Sequence, residues 1–121
     1  MEVLKGKIFS GMGVGGKIIL DYLPVFKEKF RMDFFPGTLN LKLENEWDLP
    51  AEAGYIQPFT KADGTRRGGI WFVKGKVKNF PVFVIRPELT KHPKDVIELI
   101  SPVNIRKQYA LVDGDILEVY F

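Results

Sequence analysis

Apolar and polar residues alternate with a period of two along much of the chain, and this period predicts strands. Turn signals such as Asp63-Gly64 and Asp113-Gly114 separate the alternating runs. The predicted strands span residues 3–9, 17–20, 38–43, 55–59, 69–77, 82–85 and 116–120. Many short strands in a chain of 121 residues favour a compact β-barrel.

Three segments between these strands are predicted to be short helices. Residues 24–31 begin with a proline, which suits the first helical position. Residues 93–100 carry apolar side chains on one side of a helix, and residues 103–109 have room for one or two turns. We therefore expect one mainly β domain, residues 1–121, with a few short helices.

The composition excludes several classes of chemistry. Cysteine is absent, which excludes disulfides, thiolate metal sites and cysteine nucleophiles. The single histidine, His92, argues against a histidine zinc cage or a Ser-His-Asp triad. No apolar run reaches about 18 residues and no signal peptide is visible, so we expect a cytoplasmic protein with no membrane association. The net charge of +3 fits a small anionic ligand as well as weak nucleic-acid affinity, so it does not distinguish the two.

A glycine-rich run is the first candidate for function. The run consists of Gly11, Met12, Gly13, Val14, Gly15, Gly16 and Lys17. Its spacing matches G-x-G-x-x-G and nearly matches a P-loop, but both motifs need a helix to follow. The next residues are β-branched and Pro24 comes soon after, so we expect no long helix and reject both motifs. Consecutive glycine N–H groups can still form an anion-binding nest, and the alternative is a flexible hairpin turn.

The second candidate is the segment Pro-Gly-Thr-Leu-Asn-Leu at residues 36–41. Thr38 and Asn40 are two apart on a predicted strand, so they share a face. A hydroxyl and an amide oxygen are hard ligands that suit Mg²⁺, which takes one or two protein ligands beside phosphate oxygens and water. The alternative is a strand with a polar solvent face.

Four stretches, at residues 10–17, 36–43, 86–100 and 101–119, together resemble the archaeal CTP-dependent riboflavin kinases. The resemblance implies a six-stranded cradle-loop barrel and transfer of the γ-phosphoryl of CTP to the 5′-hydroxyl of riboflavin, giving FMN and CDP. It also implies the kinase domain alone, without the N-terminal DNA-binding domain of some members. A longer loop after Gly15 and a shorter helical segment at residues 24–31 depart from the family pattern. We expect a monomer.

The resemblance also implies roles for particular residues. The run from Gly11 to Lys17 would wrap the nucleotide phosphates, and Thr38 and Asn40 would hold Mg²⁺. Thr90 and Glu98 would contact the flavin. The cytosine-nucleotide site would be lined by Val103, Asn104, Ile105 and Arg106.

Glu98 is the candidate for orienting the ribityl hydroxyl or accepting its proton. Because Glu98 is expected on a short helix, the alternative is that its side chain is an exposed charge on that helix without a catalytic role. Thr90 has the alternative role of capping the helix predicted at residues 93–100. His92 is interpreted as a loop residue, and contact with the substrate is its alternative role. A flat apolar slot for the isoalloxazine ring has five aromatic candidates, which are Phe34, Phe35, Tyr55, Trp71 and Phe72.

Two other functions stay open from the sequence. Small β-barrels also occur in DNA-binding transcription regulators, and Lys74, Lys76 and Lys78 could then form a phosphate-binding stripe. The same lysines alternate on one strand, which is typical of a solvent face. The remaining alternative is a nucleotide- or flavin-binding module without turnover.

Overall fold

The computed structural model describes residues 2–10 and 14–121, and for residues 14–17 it describes the backbone alone. Nine strands and two helices are assigned within these residues. The strands are β1 (Val3–Phe9), β2 (Leu39–Leu43), β3 (Gly54–Ile56), β4 (Phe59–Thr60), β5 (Arg66–Arg67), β6 (Ile70–Val77), β7 (Phe80–Pro87), β8 (Val96–Ile100) and β9 (Ile116–Tyr120). The helices are α1 (Val14–Phe30) and α2 (Ile105–Gln108).

Six strands form a closed antiparallel barrel. Their order is β6-β7-β8-β2-β1-β9, and the barrel closes where Lys76 of β6 pairs with Tyr120 of β9. Strand β3 extends the sheet beside β6, whereas β4 and β5 pair with each other in a separate two-stranded sheet. The prediction of a mainly β, six-stranded barrel is therefore confirmed.

Glycines at two points let the barrel close. A Cβ atom added at Gly75 would lie 2.8 Å from the carbonyl oxygen of Tyr120, so the absence of a side chain permits the close approach at the seam. Gly114 adopts a φ of 94° in the turn before β9, a left-handed conformation that favours glycine. The N–H of Gly114 donates to the carbonyl of Ile8 at 2.8 Å, which fixes this turn against β1.

Inward-facing side chains from all six strands fill the barrel. The most enclosed of them include Ile8, Leu41, Val77, Val84, Ile97 and Val119. Each such side chain contributes about 1.5–3 kcal/mol when it is fully buried. Together these side chains form the hydrophobic core of the barrel.

Helix α1 corrects two predictions about residues 14–31. The expected strand at 17–20 is helical, and the helix expected at 24–31 begins at Val14 and has 17 residues. Ile19, Tyr22 and Phe26 are spaced for one helical face and are buried against strand residues such as Phe83. This burial outweighs the low helix propensity of the β-branched residues and of Pro24, which lies inside the helix.

The expectation that no long helix follows the glycine run is therefore wrong. The Rossmann and P-loop alternatives stay excluded for a different reason, since both belong to parallel α/β sheets and the pairings of this barrel are antiparallel. The helical segment expected at residues 24–31 corresponds to the second half of this 17-residue helix.

Strand β8 corrects the helix predicted at residues 93–100. Val96, Ile97, Leu99 and Ile100 are all buried, because β8 lies between β2 and β7 and has both faces covered. A strand covered on both faces has a near-continuous run of apolar residues in its sequence. The apolar residues of β8 happen to fit a helical spacing as well, which led to the wrong prediction. The turns expected at 103–109 are confirmed by α2.

The remaining predicted strands are found with shifted ends. The strand predicted at 55–59 divides into β3 and β4, and β5 was not predicted. In the part of the chain that the structure describes, neither helix is long and apolar enough to cross a membrane.

Candidate active site

A cavity of about 840 Å³ opens between the barrel, α1 and the β4–β5 hairpin. We call it the large cavity. Its volume lies in the range that holds drug-sized ligands. Its apolar lining includes Phe9, Ile18, Tyr22, Ile70, Ile85 and Leu89. Its polar lining includes Thr38, Asn40, Arg66, Thr90, His92 and Glu98.

Asn40 and Glu98 lie side by side on the barrel wall of the large cavity. They are directly opposite in the antiparallel register of β2 and β8, and Glu98 is also opposite Ile85 of β7. The side chain of Glu98 is only 13% exposed. The alternative of an exposed helix charge is therefore wrong, because Glu98 is a largely buried carboxyl on a central strand.

The surroundings of Glu98 favour its protonated form. Burial raises the pKa of the Glu98 carboxyl above its ordinary value, and His92 opposes this with a smaller lowering of the pKa. His92 Nε2 lies 3.9 Å from Glu98 Oε1. A carboxyl with a raised pKa inside a cavity is typical of groups that accept or donate protons in catalysis.

Asn40 has the features of a metal ligand. The residue is 8% exposed, and its Oδ1 is buried without a hydrogen-bond partner among the described residues. A buried polar atom without a partner costs about 1–3 kcal/mol, so this oxygen is available to an external cation or donor. Thr38, two residues earlier, lines the same cavity, so the two oxygens fit the hard ligands of Mg²⁺.

The described residues contain no cluster of three or more His, Cys, Asp or Glu side chains that could hold a metal ion. A neutral pair such as Thr38 and Asn40 suits a cation that arrives with a polyanionic ligand, since phosphate oxygens then supply the charge.

Thr90 and His92 lie on the loop that follows β7 at the rim of the large cavity. Thr90 Oγ1 accepts a hydrogen bond from the backbone N–H of His92 at 3.2 Å. This is a local turn and not a helix cap, since β8 replaces the predicted helix. Both residues line the cavity, which places His92 beside the site and not on a remote loop.

A second, smaller cavity of about 150 Å³ is lined by all four residues predicted for the cytosine-nucleotide site. These are Val103, Asn104, Ile105 and Arg106. Asn104 is the N-cap of α2, and its Oδ1 accepts from the N–H of Lys107 at 3.2 Å. Gly37, Thr38 and Arg106 line both cavities, so the two cavities are neighbours.

Arg106 is held where the two cavities meet. Its Nη2 donates to Asp113 Oδ1 at 2.7 Å, and Ser10 Oγ donates to the same oxygen at 3.0 Å. The hydrogen bond from Arg106, followed by that from Ser10, lowers the pKa of Asp113. Ser10 directly precedes the glycine run, so Asp113 joins the start of that run to α2.

The glycine run itself is described only in part. Gly11, Met12 and Gly13 lie outside the described residues, as do the side chains of Val14, Gly15, Gly16 and Lys17. The backbone of residues 14–17 forms the first turn of α1. Ser10 before the run and Ile18 after it both line the large cavity.

The structure places the five aromatic candidates for the isoalloxazine slot outside the large cavity. Among the described residues, none of Phe34, Phe35, Tyr55, Trp71 and Phe72 lines the large cavity. Phe35 lines the small cavity, and Phe34 is buried beneath α1. Phe9 and Tyr22 line the large cavity instead, and the helical spacing of Ile19, Tyr22 and Phe26 was the signal that could have found Tyr22.

The lysines proposed for nucleic-acid contact lie away from both cavities. Lys74, Lys76 and Lys78 are exposed on β6 and in the turn after it. Lys78 Nζ lies 5.0 Å from the centre of the Tyr109 ring. This is the solvent face expected from their alternation.

A closed barrel in which a largely buried carboxyl and two uncharged oxygen atoms line one cavity suits an enzyme that acts on a bound small molecule. A family model labelled CTP-dep_RFKase and described as "Domain of unknown function DUF120" matches residues 8–121. The chain belongs to this family, the archaeal CTP-dependent riboflavin kinases, and is a phosphotransferase of the kinase class.

Curated relatives agree with the family match. The chain is 35% identical to a protein named riboflavin kinase from Staphylothermus marinus, over 96% of this chain and 88% of that protein. It is 40% identical to a riboflavin kinase from Pyrobaculum aerophilum over 59% of that protein, and 37% identical to one from Methanocella arvoryzae over 56% of that protein. Phosphorylation of riboflavin to FMN is the reaction that these relationships support.

Proposed function

We propose that this chain transfers the γ-phosphoryl group of CTP to the 5′-hydroxyl of riboflavin, with Mg²⁺, and releases FMN and CDP. The observation that carries the proposal is the pair of Asn40 and Glu98 on adjacent strands of one cavity. Asn40 would serve as a ligand for a phosphate-bound cation and Glu98 as a proton acceptor beside it, an arrangement that suits in-line phosphoryl transfer.

The large cavity is the proposed riboflavin site. Its apolar lining suits the isoalloxazine ring, and its polar groups on the barrel wall suit the ribityl chain. Thr90 at the rim and Glu98 on the wall would contact the flavin from two sides. The 5′-hydroxyl would then point toward Glu98.

The small cavity is the proposed cytosine site. Residues 103–106 would offer backbone groups to the amino and carbonyl groups of the base. A site whose polar groups are satisfied by one base leaves them unpaired with another, which disfavours ATP. The size of about 150 Å³ suits a base edge, and the phosphates would extend past Arg106 toward the large cavity.

The glycine run would bind the phosphates. Its N–H groups and the first turn of α1 offer donors to an anion, and the helix dipole favours negative charge at that end. When bound, Mg²⁺ would neutralise charge on the phosphate oxygens, and Thr38 and Asn40 would hold it there.

Glu98 would act on the acceptor. Its carboxylate would accept the proton of the 5′-hydroxyl while the hydroxyl oxygen bonds to the γ-phosphorus. The bond between that phosphorus and the β,γ-bridging oxygen breaks, and CDP leaves with the electron pair. The raised pKa of Glu98 makes it a stronger base than an exposed carboxylate.

The direct test incubates the purified protein with riboflavin and Mg²⁺ and either CTP or ATP, and separates riboflavin from FMN by chromatography. FMN with CTP and little with ATP is the expected result. FMN with ATP alone would overturn the nucleotide assignment. A chelator added to the CTP reaction tests the metal, and undiminished FMN formation would overturn the Mg²⁺ requirement.

A further inference from the structure

Asp21, in the middle of α1, binds two cations of the β4–β5 hairpin. Its Oδ2 accepts from Arg67 Nε at 2.8 Å, and its Oδ1 lies 3.0 Å from Lys61 Nζ. The side chain of Asp21 is 18% exposed. Hydrogen bonds from Lys61 and then from Arg67 lower the pKa of Asp21, so the carboxylate is charged at neutral pH. The proposed reaction gives this cluster no role.

Tyr22, the next residue of α1, contacts the same hairpin. Its hydroxyl donates to the carbonyl of Gly68 at 2.7 Å, and its ring meets Phe59 edge-on with centroids 5.2 Å apart. Two successive residues of α1 therefore bind the hairpin at both of its strands.

The hairpin depends on these side-chain contacts. Strands β4 and β5 pair only with each other among the described residues and are not part of the barrel sheet. An isolated two-stranded hairpin is marginally stable at best. Arg66, Arg67 and Gly68 of this segment line the large cavity opposite the barrel, next to Ile18 and Ile19 of α1.

We propose that Asp21 is a positioning residue for the phosphoryl acceptor. Its carboxylate holds the hairpin against α1, so that the two together form the outer wall of the riboflavin site. The inference rests on the proposed function, because it takes riboflavin as the ligand of the large cavity. Asp21 itself does not line the cavity and acts through Lys61 and Arg67.

The test compares Asp21→Asn with the wild-type chain in steady-state kinetics. The substitution keeps the shape and removes the charge, so the hairpin is held less firmly. We expect the KM for riboflavin to rise about five-fold, which is within the range of one or two partly exposed ion pairs. We expect kcat and the KM for CTP to stay within about two-fold of wild type, because the barrel wall is unchanged.

Two variants make the kinetic test specific. Asp33→Asn is the matched control, since Asp33 pairs with Lys27 and its side chain is 83% exposed, and it should leave all three constants unchanged. Lys61→Met should raise the riboflavin KM as well, although Lys61 does not line the cavity. The double variant Asp21→Asn with Lys61→Met should be less than additive. Additive effects, or a fall in kcat with an unchanged KM, would overturn the proposal.

A second readout does not need turnover. Trypsin should cut the ligand-free Asp21→Asn protein after Arg66 several times faster than wild type or Asp33→Asn, and riboflavin should slow that cut. Equal cutting rates would overturn the role of Asp21 even in an active enzyme. If wild type makes no FMN and riboflavin does not slow the trypsin cut, the proposed function fails. Faster cutting of the Asp21→Asn protein would even then support the role of Asp21 in holding the hairpin against α1.

Discussion

The large cavity has two walls that are built differently. Asn40, Ile85 and Glu98 of the barrel wall lie on β2, β7 and β8, which are joined by continuous ladders of backbone hydrogen bonds. The outer wall consists of α1 and the β4–β5 hairpin. The hairpin is held by the side chains of Asp21 and Tyr22 and lies outside the barrel sheet.

Because of this difference, we expect the barrel wall to hold the reacting groups and the outer wall to admit the substrate. Phosphoryl transfer requires reacting groups fixed within a fraction of an ångström, and such groups are best supported by rigid elements. Entry of a flat substrate requires a boundary that can yield, and regions with few backbone ladders open most readily. Substitutions on the barrel wall should therefore change kcat, and substitutions on the outer wall should change the KM for riboflavin.

The largest effect is expected for Glu98→Gln. The substitution keeps the shape of the side chain and removes the proton acceptor, so kcat should fall about 100-fold or more, the usual contribution of general base catalysis. Glu118→Gln, on the exposed outer face of β9, is the control and should match wild type. Turnover of Glu98→Gln within a few-fold of wild type would remove Glu98 from the mechanism.

Asn40→Leu should have the next largest effect. The variant keeps an enclosed side chain of similar size but lacks the Oδ1 atom, so the Mg²⁺ concentration for half-maximal activity should rise about ten-fold or more. Thermal stability without ligands should not fall, because Oδ1 has no hydrogen-bond partner to lose among the described residues. An unchanged Mg²⁺ dependence would show that Asn40 is not a metal ligand.

Glu98→Gln should also stabilise the ligand-free protein at neutral pH. Burial raises the pKa of Glu98 in the folded state, so the folded protein loses stability as the pH rises from the ordinary carboxyl pKa to the raised pKa of the folded state. Gln carries no such cost. We expect the Tm of the Glu98→Gln variant to lie above that of wild type at pH 7, measured by thermal unfolding without ligands. The difference should vanish near pH 4, and a difference independent of pH would contradict the explanation.

The barrel wall was also the part that the sequence predicted best. Strand β2 has a clear period-two pattern, Leu-Asn-Leu-Lys-Leu, and Thr38 and Asn40 were placed on one face from spacing alone. Glu98 was chosen as the candidate base but was placed on a helix, since the apolar run of β8 has no alternation when both faces are covered. The placement of Glu98 on a helix was wrong, and its role as the base stays a prediction.

The outer wall could not be predicted in the same way. Helix α1 contains β-branched residues and Pro24, and only its burial against Phe83 and its neighbours makes the helix stable. Strands β4 and β5 have two residues each, too few to show a period. Asp21, Lys61 and Arg67 are far apart in sequence, and only the folded chain brings them together.

The smallest effect is expected for Leu89→Ala at the rim, where the outer wall meets the loop after β7. Leu89 is 77% exposed and lines the large cavity, so it buries little surface until a ligand covers it. Truncation should leave the Tm unchanged and raise the riboflavin KM about two- to three-fold, because part of an apolar contact of about 1 kcal/mol is lost. Val112→Ala, at a side chain 63% exposed in the loop after α2, is the matched control. A riboflavin KM unchanged by Leu89→Ala would show that the flavin does not reach this rim.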